Sequence, residues 1–156
     1  MGMYNLILPL HSLVRWLVLI SLLAIIFRSY FGWLGKKEYS KFDERLRLIA
    51  VTIAHIQFMI GVWLYFISPI TNWFMHNFSE GVRLREIRFF GMEHVTMMLI
   101  AITVVTIGGS KAKRKVIAHD KFRTQAIWFT IGLLIILSSI PWAFSPLVHR
   151  PWLRGF

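Results

Sequence analysis

Cysteine is missing from the 156-residue chain. Its absence removes disulfides, cysteine-ligated iron–sulfur clusters and the thioether attachment of a c-type haem. Any metal or haem would have to be held by histidine, methionine, carboxylate or backbone groups. Acidic residues are few, with seven Asp and Glu against eighteen Lys and Arg, for a formal charge of +11. Polar surface is scarce as well: 56% of the residues are hydrophobic and 15% aromatic, and the mean hydropathy is +0.60. A soluble domain of this length needs far more polar area. The charges gather in short blocks between long apolar runs. That patterning indicates a small polytopic membrane protein, whose partner is the lipid bilayer, and not a basic nucleic-acid binder. The basic n-region of a cleavable signal peptide is lacking, as is the Ser or Thr that a myristoylation signal wants at its sixth position. With no internal repeat and no low-complexity stretch, one membrane domain over residues 1–156 is expected.

What is present is four runs long enough to cross a bilayer core as helices, which takes about 20 residues. They lie at about 5–28, 46–68, 89–107 and 124–144, giving an all-α, antiparallel four-helix bundle. Pro69 and Pro146 fall just past two of the ends, where a residue that cannot continue a helix belongs, and Gly108-Gly109 is expected to close the third run. The two loops 35–47 and 108–123 hold eleven basic residues, including all seven lysines. Five arginines outside the spans (Arg83, Arg85, Arg88, Arg150 and Arg154) fall on the other side. The positive-inside rule then sets both lysine-rich loops in the cytoplasm and both termini on the outer side of the membrane. Trp73 and Trp142 suit the outer interfacial belt and Trp33 the inner one. The segment TNWFMHNFSEGVRLREIRFF, between the second and third runs, is expected to lie at the outer surface as a short helix or loop.

Titratable residues inside a bilayer are paired, buried or functional, because each is costly there. At 1.5 Å per residue, His11 lies roughly 9 Å inside the first span and His94 roughly 8 Å inside the third, both counted from the outer side. His55 lies roughly 20 Å down the second span, in another layer. Arg15 follows His11 by one helical turn and shares its face. Glu93, the one acid inside a span, is the expected partner of Arg15. An ion pair that fixes helix register and a role as proton carrier or histidine partner both stay open for it. Two histidines at equal depth on separate helices suit the axial ligation of a b-type haem, which four-helix bundles build from facing helices. Met59, Met97 and Met98 are core residues or haem contacts, Gly91 permits close approach, and Arg83, Arg85 and Arg88 are cations for haem propionates. Ser138 and Ser139 fall in the layer of His11 and His94, with a hydroxyl each for a cofactor or a neighbouring helix. His76, His119 and His149 are expected in solvated loops.

The stretches LHSLVRW, AHIQFMIGVWLYFISP, FFGMEHVTMMLIAI and SSIPW together resemble small four-span, cytochrome b-like membrane proteins of Bacteroidota, over nearly the whole chain. The resemblance implies His11, His55 and His94 as haem-ligand candidates. The fourth span has no histidine, so at most one bis-histidine haem is expected per chain. The leading expectation is a b-type haem electron-transfer protein of a bacterial inner membrane, quinol-linked and working with a protein partner in a respiratory or other membrane complex. His55 is then a second ligand site or a quinone contact. That reading requires the first and third spans to be neighbours, with imidazoles close enough for one haem to bridge. A cofactor-free accessory subunit of a larger respiratory or transport complex is the alternative, with a tightly filled core. A proton path or small transporter, with a cavity reaching one face, is the third.

Overall fold

Each long apolar run becomes one long helix. The computed structural model describes residues 2–142, 148, 150 and 151. Pro146, His149, Arg154 and the end of the expected fourth span at Ala143 and Phe144 lie outside the described residues. Helix α1 spans Met3–Leu34 and α2 spans Lys41–Ile67. Three short helices follow: α3 at Pro69–His76, α4 at Phe78–Gly81 and α5 at Arg85–Arg88. A π-helical turn, Phe89–Glu93, leads directly into α6, His94–Arg114, and α7 covers Ala118–Ser139. No strand occurs among the described residues. Four helical stretches, α1, α2, Arg85–Arg114 and α7, are long and apolar enough to cross a membrane. Among the described residues the chain is all-helical, and its four long apolar helices are those of a multi-pass membrane protein by length and composition. Its helices carry large apolar side chains on the outside, among them Phe27 and Phe66, each 78% exposed. Such a surface is compatible with contact to lipid.

The starts and stops have local causes. Ser40 caps α2 in a reciprocal box: its hydroxyl accepts the Asp43 N–H, and the Asp43 carboxylate accepts the Ser40 N–H at 2.8 Å. Ser68 ends α2, and Pro69 opens α3 at its first turn, where the missing N–H costs nothing. Gly108-Gly109 does not end the third span, which runs on to Arg114. These glycines serve packing: a Cβ on Gly108 would fall 2.3 Å from the Cβ of Trp128 on α7. Small residues at such crossings let membrane helices approach closely.

The close pairs in the bundle are α1–α2, α2–α6, α6–α7 and α7–α1, an up-down-up-down ring that leaves α1 and α6 diagonal. Val18, Leu22 and Ile25 of α1, Ala50 and Ala54 of α2, Ala101 and Val105 of α6, and Phe129 and Leu133 of α7 form the core along its axis.

The lysine-rich end of this bundle is closed by a polar network. Arg28 donates from Nε to Oδ1 of the fully buried Asp43 at 2.6 Å. Ser29 donates to Oε1 of buried Gln125 at 3.0 Å, and Gln125 Nε2 donates to the Tyr39 hydroxyl at 2.7 Å. Tyr39 donates to Glu44, which also accepts from Arg47, and Arg47 Nη1 reaches the Gly109 carbonyl at 3.3 Å. All four long helices contribute to this seal.

Candidate functional site

The opposite half of the bundle is hollow. A cavity of about 200 Å³ lies among α1, α2, α6 and the end of α7. His11 and Arg15 line it from α1, Gln57, Gly61 and Tyr65 from α2, and His94 and Met98 from α6. The lining reaches from Val105, deep in the core, up to Tyr4, Ile70 and Thr71 at the lysine-poor end.

His11 and His94 face each other across this space, with ring centres 6.5 Å apart and planes at 75°. Their helices are diagonal rather than adjacent, so the neighbour relation that the haem reading called for is not met, and of its two conditions only the separation of the imidazoles stands. Consecutive long helices are neighbours here, so the first and third spans meet across the axis and not along a seam. Equal depth then sets their side chains opposite one another in the core.

His94 is positioned by two local devices. The π turn Phe89–Glu93 immediately before it shifts the register of the helix, as π turns at functional sites commonly do. Its Nδ1 then donates to the Ser139 carbonyl at 2.8 Å. A carbonyl accepts only, so Nδ1 carries the proton and Nε2 keeps the lone pair. The rings of Phe89 and Phe90 flank it, with centres 5.7 and 6.4 Å away. His11 is admitted by Gly61, where a Cβ would stand 3.1 Å from the imidazole Cε1. Gln57 Nε2 donates to the His11 carbonyl at 2.9 Å. His11 Nδ1 and Gln57 Oε1 are both buried without a hydrogen-bond partner among the described residues. A buried polar atom left in that state costs about 1–3 kcal/mol.

The other expected site residues separate from this pair. Glu93 does not join Arg15; it is ion-paired with Arg88 at 2.6 Å. The cause is the π turn, whose i to i+5 periodicity brings residues 88 and 93 onto one face. Arg88 also donates to the Val82 carbonyl at 3.0 Å, so it braces the entry to α6. Arg15 lines the cavity, with its guanidinium carbon 5.6 Å from the centre of the Trp16 ring. His55 is not part of the cavity lining. Its Nδ1 donates to the Val51 carbonyl at 2.8 Å, and its Nε2 lies 3.1 Å from the Thr106 hydroxyl on α6. It links α2 to α6, the packing role open to a lone membrane histidine.

Met98 lines the cavity, whereas Met59 is 64% exposed and faces outward. Gly91 makes room for the Phe74 ring, to which a Cβ would come within 2.3 Å, and not for a ligand. Ser138 spends its hydroxyl on the Ile135 carbonyl, and Ser139 acts through its backbone. His119 lies on α7, accepting from Trp33 Nε1 at 3.0 Å, and His76 ends α3.

Four residues of this half were not singled out by sequence reasoning: Gln57, Gly61, Tyr65 and Arg150. Tyr65 donates to the Gly91 carbonyl at 2.8 Å, while Arg150 pairs with Glu86 and lies over the Phe90 ring at the rim of the cavity. For Gln57 and Gly61 the signal was present, because residues 54, 57, 61 and 65 recur at helical spacing on one face of α2. Arg150 carried no such signal.

Among the described residues no three His, Asp or Glu side chains converge as they would on a bare metal ion. No family model matches the chain, and neither a curated protein nor a solved structure matches it.

Proposed function

We propose that the chain is a b-type haem-binding electron-transfer protein of a bacterial inner membrane, in which His11 and His94 would hold the haem. The observation that carries this reading is the 6.5 Å between their ring centres across the bundle axis. Two imidazoles holding one metal from opposite sides, with bonds of ~2.0–2.1 Å, have ring centres roughly 6 Å apart. The steep angle between the rings is compatible with this, since each ring turns freely about its own metal–nitrogen bond. The Ser139 carbonyl supports the reading, because a hydrogen bond to the far nitrogen fixes the tautomer and orientation of a ligating histidine.

Bound haem would supply a one-electron carrier inside the membrane. The protein's residues do the rest. Gly61 and Gln57 hold His11 in place, Ser139 and the π turn aim His94, and Phe90 and Met98 keep water from the pocket. Arg15, one turn from His11, sets a positive charge beside the pair that favours an added electron. Arg88, expected to meet a propionate, is committed to Glu93 and Val82, and Arg150 at the cavity rim is paired with Glu86, so neither arginine is held ready for a propionate. The lysine-rich loops assign their end to the cytoplasm and both termini to the outer side. Membrane quinol is the electron donor in this reading, and a protein partner in a respiratory or other membrane complex the acceptor.

The accessory-subunit alternative calls for a core filled throughout, and the cavity at the histidine layer weighs against it. A reduced-minus-oxidised absorption spectrum of purified protein, expressed with ample haem, tests the proposal. The expected result is a sharp low-spin α-band, lost in His11→Ala and in His94→Ala and kept in His55→Ala. A flat spectrum from folded protein overturns it and leaves the polar layer as a proton path or a helix contact.

A further inference from the structure

At the lysine-rich end, away from the cavity histidines, a second hollow of about 270 Å³ lies between Lys115, just past the end of α6, and the first half of α7. Lys115, Asp120, Arg123, Thr124, Ile127 and Trp128 line it. Three cations gather here. Lys115 and Arg123 are in the wall, and the Lys111 ammonium lies 4.7 Å from the centre of the Trp128 ring. Among the described residues none of the three has an ion pair. The one carboxylate in the wall, Asp120, is engaged by His119 at 3.1 Å. The hollow and its rim therefore present an excess of positive charge, three cations against the one Asp120 carboxylate, together with the Thr124 hydroxyl.

The apolar surroundings give the hollow a direction. Val116 and Ile117, in the turn between the two helices, are 93% and 63% exposed, next to Lys115. Below the cations, Trp128 lies at the level where indole rings sit in a membrane interface. From there Ile127, Ile131 and Leu134, all exposed and at helical spacing, run down the outer face of α7 toward the middle of the bundle. A soluble phosphate compound would have no use for this stripe. A molecule with a phosphate head and acyl chains uses both parts.

We propose that this hollow is a binding site for one anionic phospholipid, its phosphate held by Lys115, Arg123 and Lys111 and its acyl chain laid along Ile127, Ile131 and Leu134. Basic pockets between membrane helices recognise acidic head groups in this way, by charge at the rim and apolar contact beneath. The site is independent of the histidine cavity and of what that cavity holds.

Native mass spectrometry of the delipidated full-length protein tests it, with phosphatidylglycerol or phosphatidylcholine added back at equal concentration. The wild-type chain is expected to retain one phosphatidylglycerol at least about five-fold better than phosphatidylcholine. K115Q/R123Q is expected to erase that preference, while K36Q/K37Q, in the other lysine-rich loop, keeps it. Equal retention of the two lipids by the wild type overturns the proposal without any variant. Equal loss in both double variants overturns it too, since the attraction is then diffuse. Inorganic phosphate displacing the lipid at matching concentration would show a plain anion site and also overturn it.

Discussion

Both halves of the bundle bury polar side chains in an apolar environment, and they settle them differently. At the lysine-rich end Asp43 and Gln125 are wholly buried, yet each is met by a partner from another helix or from the connecting loop. Among the described residues, no buried side-chain nitrogen or oxygen at that end lacks a hydrogen bond. In the histidine half, His11 Nδ1 and Gln57 Oε1 are buried without one, beside a cavity. A network made for stability closes on itself, because a half-satisfied buried network is worse than an apolar core. Polar atoms left unmet around a space are a cost that folding alone does not explain. The contrast supports the proposed site in the histidine half.

The largest expected effect comes from breaking the closed half. Asp43→Ala removes the buried partner of Arg28 and the reciprocal cap of α2 together. Losing one member of a buried pair strands the other, and a loss of about 3 kcal/mol is expected. Thermal or denaturant unfolding in detergent reads it. A loss below about 1 kcal/mol would mean that the seal is ornamental and that the two halves do not differ as argued.

The same kind of substitution is expected to act in the opposite sense in the histidine half. His11→Leu replaces an unmet polar ring by an apolar side chain against an apolar wall. The protein without cofactor is expected to gain about 1 kcal/mol, by relief of the unsatisfied nitrogen. Haem binding, followed by the α-band, is expected to vanish in the same variant. If His11→Leu instead destabilises the cofactor-free protein as much as Asp43→Ala does, the imidazole is a structural contact and the functional half has been misassigned.

These two substitutions also mark how much was legible beforehand. The four spans, their antiparallel order and the shared layer of His11 and His94 follow from hydrophobic run lengths and a rise per residue, both of which are local. The diagonal placement of α1 and α6 follows from consecutive long helices packing as neighbours, but adjacency was expected in its place. The Arg15–Glu93 pair failed for a subtler reason: depth was counted on a regular helix, and the π turn at Phe89–Glu93 changes which residues share a face. Nothing in FFGME announces that turn. Gly108-Gly109 reads as a helix stop in water and acts as a packing notch here, because lipid rewards close helix approach and helix continuity over backbone freedom. The seal of Ser29, Gln125 and Tyr39 went unread because its members are far apart in sequence and each is unremarkable alone.

The smallest expected effect sharpens the account of the closed half through pH. The Tyr39 hydroxyl lies in the loop before α2, and its pKa is pushed from 10.0 up to about 12, first by burial and also by the Glu44 carboxylate beside it. The Gln125 amide, which donates to the oxygen, and the nearby Arg47 work in the other direction without overcoming this. The folded chain thus holds the phenolic proton more tightly than the unfolded chain. Stability from this group is complete below pH 10, and it declines as the pH climbs from 10 towards 12, where the unfolded chain has ionised and the folded chain has not. Lysines titrate in the same range, so the wild-type slope alone is not diagnostic. The difference between wild type and Tyr39→Phe is. Unfolding followed from pH 9 to 12 is expected to show a shallower decline for Tyr39→Phe, at the cost of a small constant loss where Gln125 Nε2 no longer finds an acceptor. Parallel curves would mean that water already reaches the hydroxyl and that the seal ends at Gln125 rather than at the loop.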